Sequence, residues 1–139
     1  MKHTVLLISE KQQLEDILVS SQHYQLVRIP PDRVDNYDFN LEMKYFRPDV
    51  VIINTQASIE NTLLLLLQIR RVFDLPVLLI TPIETSKILS QHLRDGLCLT
   101  EPVDATTLMH RIDETIKNPF RKTRIENTLF NSSEWIKIV

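Results

Sequence analysis

RPDVVIIN, residues 47–54, decides the fold. Val50, Val51, Ile52 and Ile53 follow one another without a polar break, opened by Pro48 and closed by Asn54. A short β-branched run of this kind predicts a strand covered on both faces, as in a parallel sheet flanked by helices. Thr4 to Ser9 (TVLLIS) and Pro76 to Thr81 (PVLLIT) have the same character, and Leu97 to Thr100 is a shorter fifth run. Tyr24 to Ile29 (YQLVRI) reads as a second strand, stopped by Pro30 and Pro31, which cannot donate ladder hydrogen bonds.

Helical patterns lie between these runs. Lys11 to Gln22 carries a stripe of Leu14, Ile17, Leu18 and Ser21, and Ser9 with Gln12 forms a capping-box pattern before it. Asp32 to Arg47 has a poor period and allows a short helix through Leu41, Met43, Tyr45 and Phe46. Ser58 to Phe73 is helical and carries an unbroken Leu63 to Leu67, so it is either well covered or sticky toward a partner. Thr81, Pro82 and Glu84 fit the N-cap, N1 and N3 positions of a helix with Ile88, Leu89 and Leu93, ended by Gly96. Asp104 caps a last helix with Leu108, Met109, Ile112 and Ile116, stopped before Pro119. Five βα repeats without a hairpin signal predict an α/β fold, a flavodoxin-like doubly wound (βα)5 sandwich with strand order 2-1-3-4-5.

Composition narrows the functional classes. The 139 residues suit one domain, expected over residues 1–118, and 43% hydrophobic with 24% charged residues is an ordinary globular balance. Sixteen basic against 18 acidic residues give no broad nucleic-acid footprint, and the apolar runs are too short for a membrane span of about 20 residues. With no charged-then-apolar leader at Met1, a cytoplasmic location is expected, with no membrane contact and no direct nucleic-acid binding. Gly96 is the only glycine, which excludes a Gly-rich phosphate loop and with it a flavodoxin-like electron carrier. One cysteine and four histidines without ligand spacing argue against a disulfide framework or a zinc site.

In open α/β sheets the working site lies at the C-terminal ends of the strands. VLLISE (5–10), RPDVVIIN (47–54), LPVLLIT (75–81) and LTEPV (99–103), in that order, resemble the receiver domains of bacterial two-component response regulators over residues 3 to 117. The resemblance implies a CheY-like fold and a phosphorylation pocket built from Ser9, Glu10, Asn54, Thr81 and Glu101, with Cys98 at the switch position. In that family an acidic pair binds Mg²⁺, an aspartate accepts the phosphoryl group, and a hydroxyl and a lysine hold it. At the matching positions one acid is Ser9, the acceptor is Asn54, the hydroxyl is kept as Thr81, and the lysine is Glu101. An amide lacks the nucleophilic oxyanion, and a carboxylate repels a group bringing nearly two negative charges.

These substitutions predict a degenerate, non-phosphorylatable receiver, not an enzyme and without a cofactor, that acts through protein–protein contacts in transcription regulation. Its expected partners are a second copy and an output domain or partner regulator. The dimer face would be the fourth helix, fifth strand and fifth helix, with Lys87, Gln91, Arg94, Arg111 and Glu114. Each site residue also has a simpler expectation. Thr81 is a helix cap, Glu10 suits the first turn of its helix, Asn54 bonds loop backbone, Glu101 pairs with Lys11 or is solvated, and Cys98 is a small buried hydrophobe. The alternative function is a small-ligand or cation sensor using the degenerate pocket, with Glu10 and Glu101 as a relict cation site. Residues 119–139, with Arg121, Lys122 and Arg124 before NTLFNSSEW and IKIV, read as a linker or the start of a truncated output segment. The end of that stretch is similar to the approach to the ATPase core of sigma-54-dependent activators; a winged-helix output or a stand-alone adaptor also fits.

Overall fold

The computed structural model describes residues 3–35, 37–56, 58–72, 75–89 and 98–117. Strands β1 (His3–Ser9), β2 (Tyr24–Ile29), β3 (Val50–Asn54), β4 (Val77–Thr81) and β5 (Cys98–Thr100) alternate with helices α1 (Gln13–Ser21), α2 (Tyr37–Phe46), α3 (Ile59–Val72), α4 (Ile83–Leu89) and α5 (Ala105–Lys117). All pairings are parallel and the order is β2-β1-β3-β4-β5. This is the doubly wound, CheY-like arrangement expected from the βα repeats.

Alternation along the strands divides the core into two layers, because successive side chains leave a strand on opposite faces. Leu6, Ile8, Val51, Ile53, Val77 and Leu79 pack on one side against α2, α3 and α4 through Phe39, Met43, Leu66, Ile69 and Leu89. Val5, Leu7, Val50, Ile52, Leu78 and Ile80 pack on the other against α1 and α5 through Leu14, Leu18, Leu108 and Ile112. Every residue of β3 and β4 is buried, which accounts for their unbroken apolar sequence. Asp49 locks the start of the sheet: its Oδ2 accepts from Thr4 N at 2.7 Å and its own N–H donates to Thr4 O at 2.7 Å.

Two helix ends reflect the scarcity of glycine. Gln22 (φ 59°) and Arg47 (φ 49°) take the left-handed conformation after α1 and α2, where glycine is the usual residue. The weak stretch 32–47 divides into a 3₁₀ turn at Pro31–Asp35 and the ten-residue α2. Its poor period is explained by Leu41 and Tyr45 facing solvent, 51% and 84% exposed, while Phe39 and Met43 enter the core. Ser58 caps α3 through a 3.2 Å bond from Asn61 N, and Asp104 caps α5 through Thr107 N. The Thr107 bond holds the Asp104 carboxyl below its usual range.

Two expected caps are corrected. Ser9 does not cap α1: it is buried as the last residue of β1, and its Oγ accepts from Lys11 N at 3.0 Å, so the helix starts only at Gln13. Thr81 does not cap α4: it ends β4, and its Oγ1 pairs with Ser86 Oγ at 2.6 Å. In both cases the helix starts later than its signature implied, at Gln13 and Ile83, which leaves the hydroxyl out of reach of the first-turn N–H groups. Ile88, expected inside, is 42% exposed. Leu93, Gly96 and residues 119–139 lie outside the described residues.

The leucine run on α3 is divided by helical geometry, with Leu63, Leu65 and Leu66 buried and Leu64 44% exposed. Leu66→Ala is therefore expected to cost about 2–5 kcal/mol in urea unfolding. Leu64→Ala is expected to cost about 1 kcal/mol or less.

Candidate functional site

Parallel register brings the ends of β1, β3 and β4 to one edge. Ser9 is the neighbour of Asn54, and Thr81 that of Thr100, immediately before Glu101. Glu101 N donates to Thr81 O at 2.9 Å, so the loop after β5 continues the sheet for one more rung and turns the Glu101 side chain toward β3.

Asn54 lies at the centre. It is 3% exposed, and its Nδ2 donates to Ile80 O at 2.9 Å and to Glu101 Oε1 at 2.5 Å. Both partners are acceptors only, so the amide must present its nitrogen to them. A carboxylate at this position would face a carbonyl oxygen and a second carboxylate. The other oxygen of Glu101, Oε2, lies 3.7 Å from Lys11 Nζ, a partly exposed pair worth about 0.2–1 kcal/mol. Of the two expectations for Glu101, pairing is the one realised.

The remaining positions are each committed elsewhere. Ser9 Oγ is held by the Lys11 backbone. Glu10 is not in the first turn of α1, which begins later; its Oε1 accepts from Gln56 N at 2.6 Å and ties the β1–α1 loop to the β3–α3 loop. Asn54 bonds a strand carbonyl and a side chain where loop backbone was expected. Thr81 is buried and turned to Ser86, so the preserved hydroxyl faces the base of α4. Cys98 packs against the β3–β4 core layer, as a small hydrophobe does, and burial pushes its thiol up to about 12. Among the described residues no group of three or more His, Cys, Asp or Glu could hold a metal ion.

Beside the Asn54–Glu101 pair opens a cavity of about 450 Å³, walled by Leu14 and Ile17 of α1, Ile83 of α4 and Val103, with Glu84 at its margin. Of its apolar walls only Leu14 and Ile17 were legible, as part of a helix stripe, because residues from α1, α4 and the β5–α5 loop meet there. Of the expected interaction face, Lys87 is exposed and Arg111 and Glu114 are half-buried, with Glu114 3.6 Å from His110. Gln91 and Arg94 lie outside the described residues. A contact not foreseen locks α5 to β2: Tyr24 OH donates to Asp113 Oδ1 at 2.7 Å, and burial with that neighbouring carboxylate raises the phenol's pKa.

No protein-family model and no curated protein matches the chain. A solved structure described as a transiently phosphorylated "switch" in bacterial signal transduction is similar to it, with a TM-score of 0.63 and 17% identity over 86% of this chain and 98% of that one. A fusion protein carrying a segment of the yeast Spc42 trimeric coiled coil is similar with a TM-score of 0.58 and 12% identity over 99% and 89%. At these identities the likeness is one of fold, and the fold is receiver-like.

Asn54→Asp is expected to destabilise the protein by about 1–3 kcal/mol at neutral pH, because the new carboxylate meets two acceptors. Its folded-state pKa would be raised, so the native state holds more protons than the unfolded one between the two values, and stability falls as pH rises through that window. Urea unfolding across pH reads this out, and adding Glu101→Lys should recover most of the loss. Cys98 in the native protein should react with a thiol reagent at pH 8 on the order of 10³-fold more slowly than after denaturation.

Proposed function

We propose that this chain is a receiver-like regulatory module that has exchanged phosphorylation for contact-based signalling. The observation that carries the reading is the 2.5 Å bond from Asn54 to Glu101 at the working edge of a receiver-like sheet. Phosphoryl transfer needs a nucleophilic oxygen and positive charge to hold the incoming group. Here the acceptor position offers an amide nitrogen already engaged, and the clamp position offers a carboxylate.

The two exchanges support one another. An asparagine alone would leave a lysine clamp without its carboxylate, and a glutamate alone would repel an aspartate. Together they make a hydrogen bond between a donor and an acceptor, and Lys11 returns a positive charge to Glu101 from the side. The Asn54 amide nitrogen and the Glu101 carboxylate satisfy each other without a phosphoryl group, which favours a constant conformation over a switched one.

Such a module would act by presenting a surface in transcription regulation, to a second copy and to an output domain or partner regulator, without catalysis. The outer side of α4 supports this, since Ile83 and Ile88 are 52% and 42% exposed next to Lys87. Arg111 and Glu114 of α5 add opposite charges, a set able to pair isologously across a twofold axis. A cytoplasmic setting belongs to the same reading. No helix among the described residues is long and apolar enough to cross a membrane. The second reading, a small-ligand sensor, draws on the cavity beside Asn54.

Incubation with acetyl phosphate and Mg²⁺, followed by intact-mass measurement, should give no phosphoryl adduct and no thermal stabilisation. An adduct would overturn the proposal. Sedimentation should show concentration-dependent dimerisation that Ile88→Glu weakens by about tenfold or more. A strict monomer at high concentration would remove the dimer from it.

A further inference from the structure

The cavity next to Asn54 is lined by carboxylates where a phosphate pocket would need cations. Among the described residues Glu101 and Glu84 are its charged lining residues, and neither Lys nor Arg lines it. Glu101 already has Asn54 and Lys11 as partners. Glu84, by contrast, makes no hydrogen bond or ion pair with any described residue. Two negative groups facing one hollow repel anions and attract a positive charge, more strongly as water is displaced.

A second, independent feature points the same way. Asn54 lines the cavity and is 3% exposed, yet no described residue donates to its Oδ1. A buried acceptor without a donor costs about 1–3 kcal/mol, so a group that donates to it is favoured by that deficit. Apart from Gln13, the rest of the described wall is apolar, with Leu14, Ile17, Ile80, Ile83 and Val103. A bare divalent cation would want several hard oxygens and would gain nothing from such a surface. A ligand with an apolar body and a donor-bearing positive head matches all three features. The volume of about 450 Å³ lies within the range of small-molecule sites.

We infer that this cavity binds a small organic ammonium compound, its head shared between Asn54 Oδ1 and the carboxylates of Glu84 and Glu101, its body against α1 and α4. A primary ammonium has three N–H donors and no acceptor, so it can serve all three oxygens while an alcohol cannot supply the charge. Binding would clamp the start of α4 against α1 and so act on the α4 face. The inference rests on the reading of the pocket as one that does not take up phosphate.

Three isosteric probes test it on the full chain: tryptamine (cation), tryptophol (neutral) and indole-3-propionate (anion). Titration calorimetry gives affinities, and the Asn54 side-chain amide signals in ¹⁵N-correlated spectra report the location. Tryptamine should bind at least about tenfold more tightly than tryptophol and move the Asn54 signals, and indole-3-propionate should bind weakest. Glu84→Gln, at an exposed position, should cut tryptamine affinity about tenfold and leave tryptophol unchanged. Glu101→Gln keeps an acceptor for the Asn54 amide and should act in the same direction.

Equal affinity for the three probes, preference for the anion, unmoved Asn54 signals, or no binding at millimolar tryptamine would each overturn the inference. A phosphoryl adduct with acetyl phosphate overturns the functional reading whatever tryptamine does. Failure of tryptamine without such an adduct overturns the ammonium site alone.

Discussion

The amide of Asn54 stands between two acceptors, a main-chain carbonyl of β4 and the carboxylate of Glu101, and this donor joins two strands and the loop after β5 at the C-terminal edge of the sheet. Hydrogen-bond polarity makes the arrangement intolerant of substitution. Nitrogen at that position links β3 to β4 and to the loop after β5. Oxygen there would separate them, because buried like charges and unpaired acceptors are each costly. Lys11, Ser9 and Glu10 are then distributed around that junction, each holding a loop in place.

The sheet makes this junction possible. β3 and β4 are buried from end to end and β1 from Val5 to Ser9, so the strands cannot slide without exposing apolar surface on both faces. Fixed register sets Ser9 beside Asn54 and Thr81 beside Thr100. The polar strand ends are therefore positioned by the packing of aliphatic side chains well away from them. Helices α1 and α5 cover one layer and α2, α3 and α4 the other, leaving the cavity at the crevice where α1 and α4 approach the strand ends.

Charge gives the site its character. The receiver-like frame usually concentrates carboxylates around a metal and a lysine around a phosphate. In this chain a carboxylate occupies the lysine position, and the cation that meets it, Lys11, comes from the β1–α1 loop. On the proposed reading this arrangement gives no electrostatic basis for holding a phosphoryl group; what the described residues form there is a largely apolar hollow with acidic margins. The α4 face proposed for partner contacts adjoins that hollow, since Ile83 contributes to the cavity and is itself 52% exposed.

Much of this was readable in the chain itself. Strand identity and parallel topology followed from short β-branched runs separated by helical stripes, a periodicity imposed by burial on two faces. The amide and the carboxylate on which the proposed reading rests were legible at Asn54 and Glu101, since residue chemistry at a strand end does not depend on packing detail. Helix starts were not, because the capping signatures at Ser9 and Thr81 are local patterns, and the two hydroxyls at these strand ends bond the Lys11 backbone and Ser86 in place of a first-turn N–H. Glu10 was placed on a helix for the same reason. The bond between positions 54 and 101, the approach of Lys11 and the cavity beside Asn54 all join segments distant along the chain. Only the three-dimensional arrangement could decide them, because hydrogen-bond partners are set by distance and direction in space, which the order of residues constrains but does not specify.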